Sequence, residues 1–194
     1  VNRYFLLIIL VTQLFACTSV GSVKLNVNNT QSQENTEKIL AIQQWQLLGR
    51  LSVRHHRESW LTKLDWRHDF LIDDLTLSTS LGGVVAKLMH SKAGVEMLDE
   101  GGVMRPVSER ELQSALGYVP PWAHLPYWVR GVVSPKAPLL INNEQVLGED
   151  VFSQDGWEVR LGRYEEVGGI VLPGKVYLSK DGLKIKLIVD EWLM

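Results

Sequence analysis

Trp45-Gln46-Leu47-Leu48-Gly49-Arg50-Leu51-Ser52-Val53 is the stretch whose reading decides the fold. Trp45, Leu47, Leu51 and Val53 share one parity, while Gln46, Arg50, Ser52 and Arg54 occupy the other. Successive side chains of a strand face opposite sides, so this is a strand with one apolar face. The following residues repeat the pattern. After a polar hairpin end at His55-His56-Arg57-Glu58, Trp60, Thr62, Leu64 and Trp66 stand against Lys63, Asp65 and Arg67. Two alternating runs joined by a short polar turn make an antiparallel hairpin.

Further short strands are expected around residues 70–77, 84–88, 94–98 and 102–105, separated by polar or glycine breaks. The pattern changes at Ser108-Glu109-Arg110-Glu111, a capping box with serine as N-cap and glutamate three residues on. Leu112, Ala115 and Leu116 give that helix its apolar stripe, and Gly117 suits its C-cap. A second short helix is expected from Pro126 to Arg130, beyond the stiff Pro120-Pro121 break. Strands then resume. The Asp155-Gly156 turn leads into Trp157-Glu158-Val159-Arg160-Leu161, and the Asp181-Gly182 turn joins Val176 and Leu178 to Leu183, Ile185, Leu187 and Val189 on one face. The class is therefore mainly β (α+β), an antiparallel meander with a two-helix insertion at 108–131. Its apolar face must be covered by helices, a closed barrel or a ligand.

Upstream, Ile39, Leu40 and Ile42 cluster on one side of a short amphipathic helix beginning near Glu34. Residues 17–33 read as a flexible, mostly polar tether, leaving residues 34–194 as the folded domain. Residues 1–16 carry Arg3, an apolar run from Phe5 to Val11 and a small residue, Ala16, before Cys17. That is the anatomy of a secretory signal. It falls short of the roughly 20 apolar residues a membrane-spanning helix requires. Leu14-Phe15-Ala16-Cys17 has the form of a lipobox, which makes Cys17 the lipidated residue; a plain cleaved signal is the alternative. Cys17 is the single cysteine, so no internal disulfide forms.

The net charge of −2 lacks the basic excess of a nucleic-acid surface. No nucleophile elbow, Walker loop, dinucleotide fingerprint or HExxH is present, so no catalytic residue, cofactor or metal ligand is assigned. The five histidines, His55, His56, His68, His90 and His124, are expected to be solvated loop residues, and Asp65, Asp73, Asp74, Asp99 and Glu100 to lie at polar parity or in turns. An enzyme built on a carboxylate pair has no residues to single out. The seven tryptophans, Trp45, Trp60, Trp66, Trp122, Trp128, Trp157 and Trp192, are spread along the chain and serve cores or greasy sites alike.

Trp45-Gln46-Leu47-Leu48-Gly49-Arg50-Leu51-Ser52-Val53 with Leu64-Asp65-Trp66 resembles the opening of the LolB family of outer-membrane lipoprotein receptors. The resemblance continues in order through Leu77-Ser78-Thr79-Ser80-Leu81-Gly82, where Ser80 replaces a frequent proline. It extends through Leu116-Gly117-Tyr118-Val119-Pro120, Tyr127-Trp128-Val129-Arg130-Gly131, Gln154-Asp155-Gly156-Trp157 and Leu172-Pro173 to the closing Ile185-Lys186-Leu187-Ile188-Val189-Asp190-Glu191-Trp192.

The resemblance implies an incomplete antiparallel β-barrel with short helices as a lid over an apolar cavity, working without a cofactor or a covalent step. It implies a monomer that takes triacylated lipoproteins from a LolA-like periplasmic carrier and delivers them to outer-membrane lipid. Trp60, Leu64, Trp66, Trp128, Trp157, Leu187 and Trp192 are the expected cavity or lid residues, with an ordinary packed core as the alternative. Leu81 is expected in the membrane-delivery loop. Thr18 after Cys17, in place of the aspartate that retains enterobacterial lipoproteins in the inner membrane, favours the outer membrane, with the domain facing the periplasm. Binding of another lipid or glycolipid, or a structural role in outer-membrane assembly, remains open at this point.

Overall fold

A computed structural model describes residues 29–137, 139–146 and 148–194. The signal segment, Cys17, Thr18 and the tether up to residue 28 lie outside the described residues.

Helix α1 (Asn29–Ala41) leads into β1 (Gln44–His55), β2 (Glu58–Asp69), β3 (Ile72–Ser78), β4 (Val84–Ser91), β5 (Gly94–Leu98) and β6 (Met104–Val107). Helices α2 (Glu109–Leu116) and α3 (Leu125–Trp128) follow. The chain closes with β7 (Leu139–Val146), β8 (Glu149–Gln154), β9 (Trp157–Val167), β10 (Ile170–Lys180) and β11 (Leu183–Leu193). The eleven strands form one antiparallel sheet in the order β6-β5-β4-β3-β2-β1-β11-β10-β9-β8-β7. It is two meanders joined where β1 pairs with β11. Among the described residues its outer strands, β6 and β7, are not paired to each other, so the barrel is incomplete.

Local chemistry explains several of the element boundaries. Asp155-Gly156 and Asp181-Gly182 hold positive φ at both positions (51° and 75°; 49° and 81°), the conformation of a tight two-residue hairpin turn. Ser108 caps α2: its hydroxyl accepts from the Glu111 amide at 3.3 Å, while its own amide donates to Glu111 Oε2 at 2.8 Å. Bonds from the Ser108 amide, the Arg105 guanidinium and the Ser108 hydroxyl bring the Glu111 carboxyl down to about 2. Gly117 ends α2 at φ +81°. Within the described residues helix α1 spans Asn29–Ala41, so residues 29–33, expected in the flexible tether, are helical.

The strand alternation of β1 and β2 holds: Trp45, Leu47 and Val53 are buried, with Leu47 opposite the inward Trp66 and Gly49 opposite the inward Leu64. A bulge at Leu48/Gly49 skips Asp190 on β11. The skip shifts the parity of β11, so Leu183, Ile185, Leu187 and Val189 point inward and Trp192 also arrives inside. Gly49 is required there, because a Cβ would lie 2.5 Å from the Ile188 carbonyl oxygen.

Two corrections concern polar residues. Asp73 is not at polar parity; it shares the inner face of β3 with Leu75 and Leu77 and is 3% exposed. Nor are the histidines all solvated: the His68 and His124 side chains are buried, and His90 is half-buried. Each is held by a carboxylate or an aromatic ring, partners that only cross-strand register and lid packing bring near.

Candidate functional site

The inner face of the curved sheet does not close on itself. Leu51, Leu64, Trp66, Leu75, Leu77 and Leu88 form one wall of a cavity, and Val176, Leu178, Ile185 and Leu187 form the facing wall. Leu116 at the end of α2, Tyr118, Pro120 and Trp122 from the connecting segment, and Leu125 and Val129 around α3 roof it. The enclosed space measures about 60 Å³, room for a water or two and well short of what a drug-sized ligand needs. Burial pushes the Tyr118 phenol well above its ordinary range, so it stays neutral in this lining.

The lid is fixed by polar bonds made behind its apolar face. The Trp128 indole donates to Gln154 Oε1 at 2.8 Å, and Gln154 Nε2 donates to the carbonyls of Ser134 and Ala137 at 2.6 and 2.7 Å. Arg130 is 5% exposed. It donates to the carbonyls of Pro126, Ile39 and Ile42 at 2.7, 2.9 and 3.0 Å, binding α3 to the end of α1.

On the same inner face, at the end of the first wall, lies a buried polar row. Register places His68, Asp73 and His90 side by side on β2, β3 and β4. Asp73 accepts from Trp66 Nε1 at 2.9 Å, sits 2.7 Å from His68 Nδ1 and 3.3 Å from His90 Nδ1. His68 stacks on Trp45, and His90 stacks on Trp122 of the roof. One carboxylate thus orients one cavity tryptophan directly and a second through His90. Among the described residues, no group of such side chains is arranged to hold a metal ion.

Burial works to raise the Asp73 pKa, but bonds from His68 and His90, the charge of His68 and the Trp66 N–H outweigh it and leave the carboxyl below its ordinary value. A lowered carboxylate pKa adds stability above the unfolded pKa, and that stability is lost as pH falls through the folded value. Stability is therefore expected to decline below about pH 4. Asp73→Asn should flatten that part of the curve, as measured by denaturation across pH.

A family model described as the outer membrane lipoprotein LolB matches residues 43–192, which contain the cavity, the lid and every residue of the sheet except Leu193 at the end of β11. The chain belongs to the LolB family. LolB proteins of Pseudomonas fluorescens and Pseudomonas savastanoi are 28% and 30% identical over 98% and 97% of this chain, covering 96% and 93% of their own lengths. LolB of Shewanella loihica is 32% identical over 76% of this chain and 70% of its own. Among solved structures, a LolA superfamily protein from Nitrosomonas europaea superposes with a TM-score of 0.51 at 10% identity, over 87% of this chain and 94% of that one. A DUF1329 family protein from Desulfovibrio piger does so with 0.53 at 9%, over 82% and 88%. These two show the fold.

Within this LolB-family domain, Leu64, Trp66 and Leu187 stand on the cavity wall. Trp128, Trp157 and Trp192 are buried elsewhere, Trp128 against Trp157 at 6.2 Å and Trp192 edge-on to Trp45 at 5.6 Å. Trp60 is half-buried and packs on the core. The roof residues Leu116, Tyr118, Trp122, Leu125 and Val129 were not among the residues expected from sequence to line the cavity or lid, although the two-helix insertion that carries most of them was read. Leu81 lies at the β3–β4 turn, 97% exposed.

Proposed function

We propose that this protein receives lipoproteins from a LolA-like periplasmic carrier by taking their acyl chains into the cavity, and releases them into the outer membrane. Residues 1–16 act as its signal peptide, and acylated Cys17 with the tether holds the domain at the membrane. The observation that carries the reading is an apolar, lidded cavity in a LolB-family chain. Free acyl chains are costly in water, at roughly 0.8 kcal/mol per CH₂. A cavity walled by leucine, isoleucine, valine and tryptophan offsets that cost in transit. The closed cavity, about 60 Å³, is far smaller than an acyl chain, so cargo requires the α2–α3 roof to lift. No covalent chemistry is needed; transfer runs downhill when the cavity binds acyl chains more tightly than the carrier does and the bilayer more tightly still. A structural scaffold would have no use for such a space. The test is transfer of a labelled lipoprotein from LolA to this protein and then to liposomes. Failure of the first step rejects the reading.

Leu81 is assigned to delivery. The turn is closed by Thr79 N to Gly83 O at 2.8 Å, Gly82 N to Thr79 O at 3.0 Å and Gly83 N to Thr79 Oγ1 at 3.1 Å. The turn presents Leu81 to solvent beside Val84 and Val85, which are 60% and 63% exposed. Leu81→Glu should change stability by less than about 0.5 kcal/mol and leave acyl binding intact. It should slow delivery to liposomes about tenfold or more, since burying one leucine in lipid is worth roughly 1.5–3 kcal/mol. Wild-type delivery by the variant would remove Leu81 from the mechanism.

A further inference from the structure

The outer face of the sheet carries its charge unevenly. Register sets Lys184 of β11 opposite Arg54 of β1, Lys186 opposite Ser52, and Arg50 opposite Lys63 of β2. These cations are exposed, on the strand face turned away from the cavity. Asp190 neutralises Arg50 at 2.7 Å. Among the described residues, Arg54, Lys63, Lys184 and Lys186 make no ion pair. Neighbouring carboxylates are taken, Asp65 by Arg67, Glu158 by Arg160 and Glu149 by Lys175. Glu58 and Asp181 stand at the hairpin ends, next to Arg57 and Lys180. Like charges directly opposite across strands are destabilising, and Arg54 facing Lys184 is such a pair. The chain as a whole is −2, so this basic field comes from segregation of charge and not from composition.

The field has an apolar border. Leu61 lies opposite Ser52, two residues from Lys63, and is 73% exposed. Lys63 is level with Ser78 and Ser78 with Val84, so the row of cations runs into the turn that carries Leu81. We propose that Arg54, Lys63, Lys184 and Lys186, around Leu61, form a docking surface for anionic phospholipid headgroups that holds the Leu81 turn against the bilayer. This rests on the assignment of Leu81 to delivery and extends it. The family is one of outer-membrane lipoproteins, so a bilayer is the surface beside the domain. The acyl anchor at Cys17 sets nearness to that bilayer; the patch sets which face meets it. Phosphates spread in a plane match cations spread over three strands, and the acyl chains behind them take the apolar border. An acidic protein surface would satisfy the cations and leave Leu61, Leu81 and Val84 in water. Each Lys or Arg near an anionic surface is worth about fivefold in binding, and salt screens the effect.

The test uses the mature chain, residues 17–194, carrying Cys17→Ala so that no acyl anchor contributes. Partition is measured by flotation with vesicles of phosphatidylcholine alone and of phosphatidylcholine mixed with phosphatidylglycerol. The unaltered patch should favour the anionic vesicles by about tenfold or more, and about 0.5 M sodium chloride should remove the preference. Arg54→Gln, Lys184→Gln and Lys186→Gln together should abolish it while leaving partition onto phosphatidylcholine within about twofold. Glutamine keeps the strands and relieves the Arg54–Lys184 repulsion, so this variant folds. Lys92→Gln, Arg110→Gln and Arg163→Gln, all exposed and elsewhere, change the net charge equally and should keep the preference. No preference with the patch intact, a preference that survives the first triple variant, or one lost equally in the second overturns the assignment. If the surviving first variant also stops accepting lipoprotein from LolA, the patch is a carrier site instead. Flotation involves neither carrier nor cargo, so its failure leaves the acyl-receptor reading standing, and failure of LolA transfer leaves the patch standing.

Discussion

Arg130→Met is expected to lower the unfolding free energy by about 3–5 kcal/mol and to free α1 from the lid. The guanidinium is the shared donor for three carbonyls, Pro126 in α3, Ile39 in the last turn of α1 and Ile42 beyond it. The carbonyls of a helix's last turn have no intrahelical partner, so Arg130 acts as a side-chain cap for α1. Methionine fills similar volume and donates nothing. The Pro126 and Ile42 carbonyls then lose this donor at about 1–3 kcal/mol each, part of which water entering the gap recovers, and the Ile39 carbonyl is left with the Ile42 amide alone at 3.2 Å. The cation also packs over Trp45 at 5.7 Å and Tyr127 at 5.8 Å.

Burial works against the charge of Arg130 and lowers its pKa, while Tyr127 and Asp73 act in the opposite sense. Arg130→Lys should recover only part of the loss, because an ammonium cannot reproduce the planar fork that serves both helices. Chemical denaturation gives the stabilities, and amide exchange in α1 gives the local effect. A loss below about 1 kcal/mol, with exchange in α1 unchanged, would show that other contacts hold the lid.

The parts of this fold that are legible in the sequence are those determined locally. Ser108 and Glu111 lie one helical turn apart, and the two Asp-Gly pairs need only their own backbone conformations, so both could be read directly. The alternation of β1 and β2 likewise survives intact. Asp73 failed for the opposite reason. Alone it is a polar residue before Leu75 and Leu77; its partners His68 and His90 come from flanking strands and become visible only in register. Strand β7 was not read, since Leu139–Val146 centres on Asn142-Asn143, a poor strand signal, and nor was the short β8 (Glu149–Gln154), which opens on Glu149-Asp150.

The cavity shows a deeper limit. Inward parity is the same whether a side chain meets a neighbour or a void. Leu64 and Trp66 therefore line the cavity while Trp192, delivered inward by a bulge, packs against Trp45. Curvature and the height of the roof make that distinction, and neither is written in periodicity. Trp122 was visible only as one tryptophan among seven until the roof placed it over the space.

Val176→Phe is expected to abolish acyl binding, by more than about tenfold, while leaving stability unchanged or higher by up to about 1 kcal/mol. Val176 is 1% exposed on β10 and faces the cavity. A larger side chain there occupies the space an acyl chain would use, and its ring gains dispersion contacts that the void withholds. Val159→Phe is the control. Val159 is 0% exposed on the neighbouring β9 and is not part of the cavity wall, so an added ring must displace packed atoms at a cost of about 1–3 kcal/mol. Denaturation midpoints separate the two variants, and diphenylhexatriene displacement reports binding. If both variants lose stability equally, position 176 is packed core and the volume is not available to a ligand. If only Val159→Phe is destabilised and only Val176→Phe loses binding, the protein keeps the space open at the expense of stability. That trade has a use only if something else fills the cavity.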